Sequence, residues 1–426
     1  MVRMMSGKRR RKLKIKRILL LILLISILIG GIISIPRLLN KPGSNNEEKT
    51  NPVVEEPKER VYTAKFLAAG DALIHKPVRN SGKQSDGTWN YTSQFDLIRD
   101  ILAEYDIKFY NQESVISGND DYYPTGGGLY FNTPKAFGDA AVEAGFNLVS
   151  LANNHSMDVG SNGVLGSVAY WNTKDNIIFD GMTDSEEMRN DYTRLMGEAN
   201  GITYGFLAYT TSTNGNPVPK NKPYLVNTYS EEKVKNDITN LRDKVDVLIV
   251  SMHWGIEYIL EPNAEEKKIA NFLAEQDVDI VIGNHAHCIQ PIERIGDTVV
   301  FYALGNLISN QGYLTATKPG QYGQKVTIGA LGTLTITKTV TPEGDTTIEL
   351  GDVGAELIYT HSAGPARGPY KIVPFSKMED KYLTILTSQY KGENGLQKLY
   401  DDYKDVLTKY DDAVQIVELQ SKLDIN

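Results

Sequence analysis

The chain has 426 residues, 41% of them hydrophobic and 23% charged, which allows a sizeable buried core and excludes a chain disordered throughout. Its one cysteine, Cys288, excludes an intramolecular disulfide and with it a disulfide-dense secreted scaffold. The net charge of −8 is uneven: residues 1–41 hold eleven Lys or Arg and no acid, which leaves 34 basic residues against all 53 acids beyond them, a balance of −19 that argues against a nucleic-acid binder.

In chain order, residues 1–17 are a basic segment and residues 18–35 (ILLLILLISILIGGIISI) an uncharged apolar run. A span needs about 20 such residues, so this run sits at the short end of that length. Basic residues ahead of it keep the N-terminus cytoplasmic and put the remainder outside. The alternative is a cleaved signal peptide, but its apolar stretch should be about 7–15 residues and end in small residues, whereas this run ends at Ser34-Ile35-Pro36. The expectation is a single-pass protein of the cell membrane with an extracellular main domain. Residues 36–60 turn polar and Pro-rich and read as a flexible linker.

From Val61 short apolar runs alternate with amphipathic stretches. The runs at 61–71, 106–113, 146–155, 202–210, 246–255, 279–287 and 298–306 suit buried strands. Residues 94–105, 134–145 and 263–276 suit helices; the last opens at Asn263, a good N-cap, with acids in its first turn. The alternation implies an α/β fold with largely parallel strands. After about residue 320, the stretches 325–339 and 346–360 are β-branched and alternating, with Thr-Pro-Glu-Gly-Asp between them, and read as an antiparallel hairpin. The division is a main domain over 61–365 and a helical, charged extension over 366–426.

The polar residues fall where the strands end, the edge at which open α/β sheets bind ligands. These ends offer Asp71 with His75, Asn111 with Glu113, Asn154 with His155, His253 with Glu257, and His285 with His287. A single histidine after an apolar strand is more often structural. Five of the six histidines in such positions, beside carboxylates, point to a metal site. Imidazole, carboxylate and amide oxygen suit Mn, Zn or Fe ions rather than calcium, and a bridging carboxylate can hold two divalent metal ions. Trp254 reads as packing, Cys288 as inert, and Gly126-Gly127-Gly128 lacks the lysine of a phosphate-binding loop.

These blocks resemble the bacterial CapA family of capsule or poly-γ-glutamate synthesis proteins, which is related to calcineurin-like metallophosphoesterases. The resemblance covers roughly residues 62–310. It rests on Gly70-Asp71, Asn111-Gln112-Glu113, Phe131-Asn132-Thr133-Pro134, Ala152-Asn153-Asn154-His155 with Asp158 and Gly160, His253-Trp254-Gly255 with Glu257, Gly283-Asn284-His285-Ala286-His287 with Gln290-Pro291-Ile292-Glu293, and Leu304-Gly305-Asn306. It implies a four-layer α/β/β/α metallophosphoesterase-like sandwich. It implies that Asp71, His75, Glu113 and His287 hold one metal, and that Glu113, Asn154, His253 and His285 hold a second. His155, Glu113 and Glu257 are then the catalytic candidates, with His155 as general acid or oxyanion partner. The pattern departs from the wider phosphoesterases: His75 lies four residues past Asp71 rather than two, the bridging acid is Glu rather than Asp, and an asparagine enters the last motif. Two functions follow. One is a metal-dependent hydrolase acting on a cell-envelope polymer. The other is a non-catalytic polymer-binding or export factor, working with other membrane proteins of a synthesis complex.

Overall fold

Apart from Arg9–Arg10, the computed structural model describes residues 58–124, 130–314, 323–363, 368–383, 386–392 and 394–419. The apolar run 18–35, the rest of the basic segment and nearly all of the linker lie outside the described residues, as does Gly126-Gly127-Gly128. Among the described residues no helix is long and apolar enough to cross a membrane.

Two mixed sheets form the centre of the molecule. In the larger, the strands lie in the order Thr346–Ser362, Ile328–Val340, Arg60–Ala72, Ile107–Asn111, Leu148–Ser150 and Ile178–Asp180. The last four run parallel to one another, while Ile328–Val340 pairs antiparallel with both its neighbours. In the smaller sheet the order is Ile292–Ile295, Thr298–Phe301, Ile280–Asn284, Val247–His253, Ile202–Thr210 and Met196–Ala199, with parallel pairing through the middle and an antiparallel hairpin at each edge.

The period-2 alternation of strand side chains sorts them into layers. Phe66, Ala68 and Phe109 face Phe206, Ile249 and Ile282 across the gap between the sheets, where Phe109 meets Phe206 edge to face at 5.9 Å. The intervening Leu67, Ala69 and Tyr110 face outward and pack on Phe137, Val164 and Trp171 of the helices Lys135–Ala144 and Gly160–Trp171. On the far side, Leu207, Leu248 and Val281 pack on Ile238, Leu241, Ile269 and Leu273 of the helices Glu231–Leu241 and Ala264–Glu275. Helices therefore cover both outer faces, giving the α/β/β/α order of layers.

Two expectations are corrected. The stretch 94–105 is helical only over Arg99–Ala103. Ahead of it the Ser93 and Leu97 carbonyls accept hydrogen bonds from Lys371 and Lys377 instead of from a helix ladder. The extension 366–426 is less helical than its charge pattern suggests. Tyr370–Pro374 and Gln415–Ile416 are strands paired with Thr346–Ser362, and among the described residues of this stretch the α-helix is confined to Gly395–Thr408, whose Leu399, Tyr400 and Leu407 join the central core.

The helix Ala264–Glu275 shows its sequence signal realised. The Asn263 side chain accepts from the Glu265 and Glu266 amides at 2.8 and 3.0 Å, and Glu266 accepts from the Asn263 amide at 2.7 Å, a capping box. Asn263→Ala should therefore cost about 1 kcal/mol, seen in urea denaturation as a lower midpoint at unchanged slope. An unaltered midpoint would show that the cap adds nothing.

Candidate metal centre

The parallel strands of both sheets deliver their carboxyl ends to one place. Asp71 is the penultimate residue of Arg60–Ala72, Glu113 lies two residues past Ile107–Asn111, Asn154 and His155 follow Leu148–Ser150, His253 closes Val247–His253, and His285 and His287 follow Ile280–Asn284. Glycines let the backbones converge. A Cβ on Gly70 would sit 1.9 Å from the Gly305 carbonyl oxygen, and one on Gly283 would sit 1.8 Å from that of Tyr302. His285 and His287 hold φ of 96° and 54°, a left-handed backbone that costs a non-glycine residue about 1–3 kcal/mol unless its surroundings fix it. Asp71 helps to fix it, since one of its oxygens accepts the His285 amide at 3.1 Å.

Two groups of side chains have ligand atoms within 4.8 Å of one another: Asp71, Glu113 and His287, and Glu113, His253 and His285. Glu113 belongs to both. Its Oε1 lies 3.6 Å from His287 Nε2 and 3.6 Å from His253 Nε2. Asp71 Oδ2 lies 3.3 Å from His287 Nδ1. His253 Nε2 stands 2.9 Å from Asn154 Oδ1 and 3.1 Å from His285 Nδ1, which places the amide oxygen in the second group.

These residues fit a bound cation. Glu113 is fully buried, and neither of its oxygens has a hydrogen-bond partner. An uncompensated buried carboxylate is strongly unfavourable, and burial pushes the Glu113 carboxyl well above the usual range. Burial, with neighbouring imidazoles, holds His253 well below its ordinary value and lowers His285 to about 4. Both rings are thus neutral and able to offer lone pairs. Burial opposes protonation of His287 too, but the Glu113 carboxylate and the hydrogen bond to Asp71 outweigh it and raise the ring to about 9. A cation between these carboxylates would take the place of that proton.

His75 and His155 stand beside the two groups rather than in them. His75 Nδ1 is 3.1 Å from the Leu73 carbonyl oxygen and 3.3 Å from the Asn310 amide. The Phe131 ring lies between the two imidazoles, edge to face with each, at 5.1 Å from His75 and 4.7 Å from His155. His155 Nδ1 is 2.8 Å from Asp158 Oδ2, which also accepts the Phe131 amide at 2.7 Å. Asp158 therefore orients a histidine as well as ordering its loop. Glu257 is half-buried on the loop after His253. Trp254 is buried and donates to the Tyr302 carbonyl, as a packing residue would.

The sequence offered Asn111 only as one ligand type beside Glu113 and gave no role to Asn306. The Asn111 amide nitrogen donates to Asp71 at 2.7 Å and lies 3.3 Å from His253 Nδ1, so it ties the two groups together. Asn306 Oδ1 is 3.1 Å from His287 Nδ1 and its amide donates to the His287 carbonyl at 3.2 Å. Both asparagines stood in the sequence blocks already noted, but their spacing gives no hint of which ring each supports.

Residues 65–311 match the family described as bacterial capsule synthesis protein PGA_cap. The chain belongs to this family. It is 28% identical over 267 residues to the PGA biosynthesis protein CapA of Bacillus subtilis (strain 168), covering 61% of this chain and 67% of that one. It is 28% identical over 184 residues to the capsule biosynthesis protein CapA of Bacillus anthracis, covering 42% of this chain and 44% of that one. The match thus spans less than half of the second relative's length. Among solved structures the chain is similar to a phosphatase from Mycoplasma pneumoniae (15% identity, TM-score 0.40, 70% of this chain and 95% of that one). It is also similar to a calcineurin-like phosphoesterase from Bacillus subtilis (14% identity, TM-score 0.35, 68% and 91%).

A ligand that binds only the folded state raises its stability by mass action, about 2.7 kcal/mol at a hundredfold excess over Kd. Added Mn²⁺ or Zn²⁺ should therefore raise the Tm of the wild-type protein and leave that of Glu113→Gln nearly unmoved, as read by calorimetry. Equal shifts in both proteins would place the binding elsewhere.

Proposed function

We propose that this PGA_cap protein is a membrane-anchored, extracytoplasmic, metal-dependent hydrolase. It would act on a phosphoester or activated acyl bond during synthesis of an anionic cell-envelope polymer, capsule or poly-γ-glutamate. The relatives named for capsule and PGA biosynthesis support the polymer, and the basic segment ahead of the apolar run 18–35 supports the anchor. Asp71, Glu113 and His287 would hold one divalent ion, and Glu113, Asn154, His253 and His285 a second. This donor set suits Mn, Zn or Fe. When bound, such a pair supplies Lewis acidity and makes a water nucleophilic near neutral pH.

The observation that favours catalysis over binding alone is the His155–Asp158 pair. Metal recognition of a polymer carboxylate does not need a histidine outside both ligand groups with its tautomer fixed. Asp158 accepts a hydrogen bond from His155 Nδ1–H, which leaves Nε2 for a reacting group. With both ring nitrogens protonated, His155 would give its Nε2 proton to a leaving oxygen or hydrogen-bond a developing oxyanion. His75, held against the same Phe131 ring, shapes the wall of this cleft, and Glu257 adds a carboxylate at its mouth.

Purified full-length protein loaded with Mn²⁺ would be assayed against a panel of phosphomonoesters, phosphodiesters and poly-γ-glutamate, with His155→Ala and Asp158→Asn alongside. Turnover by the wild type should fall about 10²–10⁴-fold in His155→Ala, and less in Asp158→Asn, with metal content unchanged in both. If polymer is bound but no product forms, and His155→Ala binds it equally well, the domain is a polymer-binding or export factor.

A further inference from the structure

We propose that the cleft beside Trp89 is a second ligand site, one that holds sugar units of an envelope glycan by stacking and neutral hydrogen bonding. The cleft, about 900 Å³ in volume, falls within the range of small-ligand sites. It lies between the helices Lys135–Ala144 and Gly160–Trp171, the tight turn around residues 82–90, and the loop at 117–120. It does not depend on the metal centre. No metal-ligand candidate lines it.

The first observation is the way Trp89 is held. It is half-buried on a turn closed by hydrogen bonds from Gln84 to Thr88 and from Asn90 to Gly82, at 2.8 and 2.7 Å. Its indole stacks parallel to Tyr91, 3° between planes at 6.4 Å. Behind it the Arg79 guanidinium sits 4.4 Å from the ring centroid and 5.4 Å from that of Tyr123. Arg79 is buried, its Nε has no partner, and among the described residues no carboxylate pairs with it. A buried cation without a counter-charge is expensive. Its contacts here are the two rings and the Asp120 carbonyl. The molecule thus spends a buried charge on fixing an aromatic wall at the edge of an open cleft, which is the pre-organisation that ring stacking requires.

The second observation is the chemistry of the remaining lining. Asp139 is set by the Tyr170 hydroxyl at 2.9 Å and by Lys174 at 2.5 Å, and Tyr170 also donates to the Lys135 carbonyl at 3.0 Å. Lys135 lies 3.9 Å from Asp120. Both lysines of the lining are thus matched by aspartates, so the lining itself presents no unpaired cation; Arg79 is buried behind the indole, and Lys83, 5.6 Å from the same ring, lies outside the lining. A polyanion would need unpaired cations. A sugar, with an apolar ring face and a rim of hydroxyls that both donate and accept, matches an indole ringed by balanced Lys and Asp. Gly166 lets the loop at Ser117 close onto the helix at the base of the cleft, since a Cβ there would meet the Ser117 carbonyl oxygen at 1.9 Å.

Tryptophan emission tests this directly, because Trp171 and Trp254 are 0% and 1% exposed and Trp89 alone of the three lines the cleft. Full-length protein in a sugar-free detergent would be titrated with β-linked tetrasaccharides of glucose, galactose and N-acetylglucosamine, and separately with poly-γ-glutamate. Saturable quenching or a blue shift with at least one sugar, and none with poly-γ-glutamate, is expected. By calorimetry Trp89→Ala and Asp139→Ala should each weaken sugar binding about tenfold, while Trp89→Phe retains it. Near-ultraviolet circular dichroism and metal content should stay as in the wild type, and chelator-treated protein should bind sugar equally well. No response to any sugar up to about 10 mM, or a response to poly-γ-glutamate alone, would overturn the proposal. The metal-centre reading stands or falls separately.

Discussion

Glu113 places both carboxylate oxygens in the seam between two sheets with no donor to satisfy either one. An isolated buried charge of this kind costs several kcal/mol, and its surroundings are arranged around that cost. Three imidazoles and a second carboxylate crowd the same few ångströms. Asn111 ties Asp71 to His253, and Asn306 holds His287. Two histidines accept a left-handed backbone to reach them. Glycines at 70 and 283 bring main chains closer than any side chain would allow. Packing alone asks for none of this, whereas a shared cation site asks for all of it.

The fold serves that arrangement. Parallel strands end together, so two sheets packed face to face bring two sets of strand ends to one seam. Six positions far apart in the chain become neighbours without a long loop to carry them. The His155–Asp158 pair sits beyond the ligand groups on the same edge, which is why a reacting group could meet both. The Trp89 cleft lies outside this seam.

Much of this was legible in the sequence because local signals agreed with the global fold. Each apolar run from Val61 to Asn306 holds a strand, and the candidate ligand residues were visible as polar groups at run ends. The helix at Asn263 carried its own cap, and the hairpin its own turn. What failed to show was set by distant contacts. The stretch 94–105 has helical spacing, yet lysines 371 and 377 hold its carbonyls in another conformation. The charge of the final sixty residues suggested helix, but Tyr370–Pro374 finds an open strand edge. The sequence set His75 after Asp71 but did not show that its Nδ1 lies against main-chain groups, which leaves Nε2 as its free ring nitrogen. The partner of a ring nitrogen is a property of three-dimensional packing, and no spacing encodes it.

The claim on which this account rests is that Glu113 joins two cation sites. Anomalous diffraction from crystals of the Mn²⁺- or Zn²⁺-loaded protein would test it most directly. The account predicts two peaks about 3.5–4 Å apart flanking the Glu113 carboxylate, one toward Asp71 and His287 and the other toward His253, His285 and Asn154. A single peak, or peaks that leave Glu113 uncontacted, would contradict it.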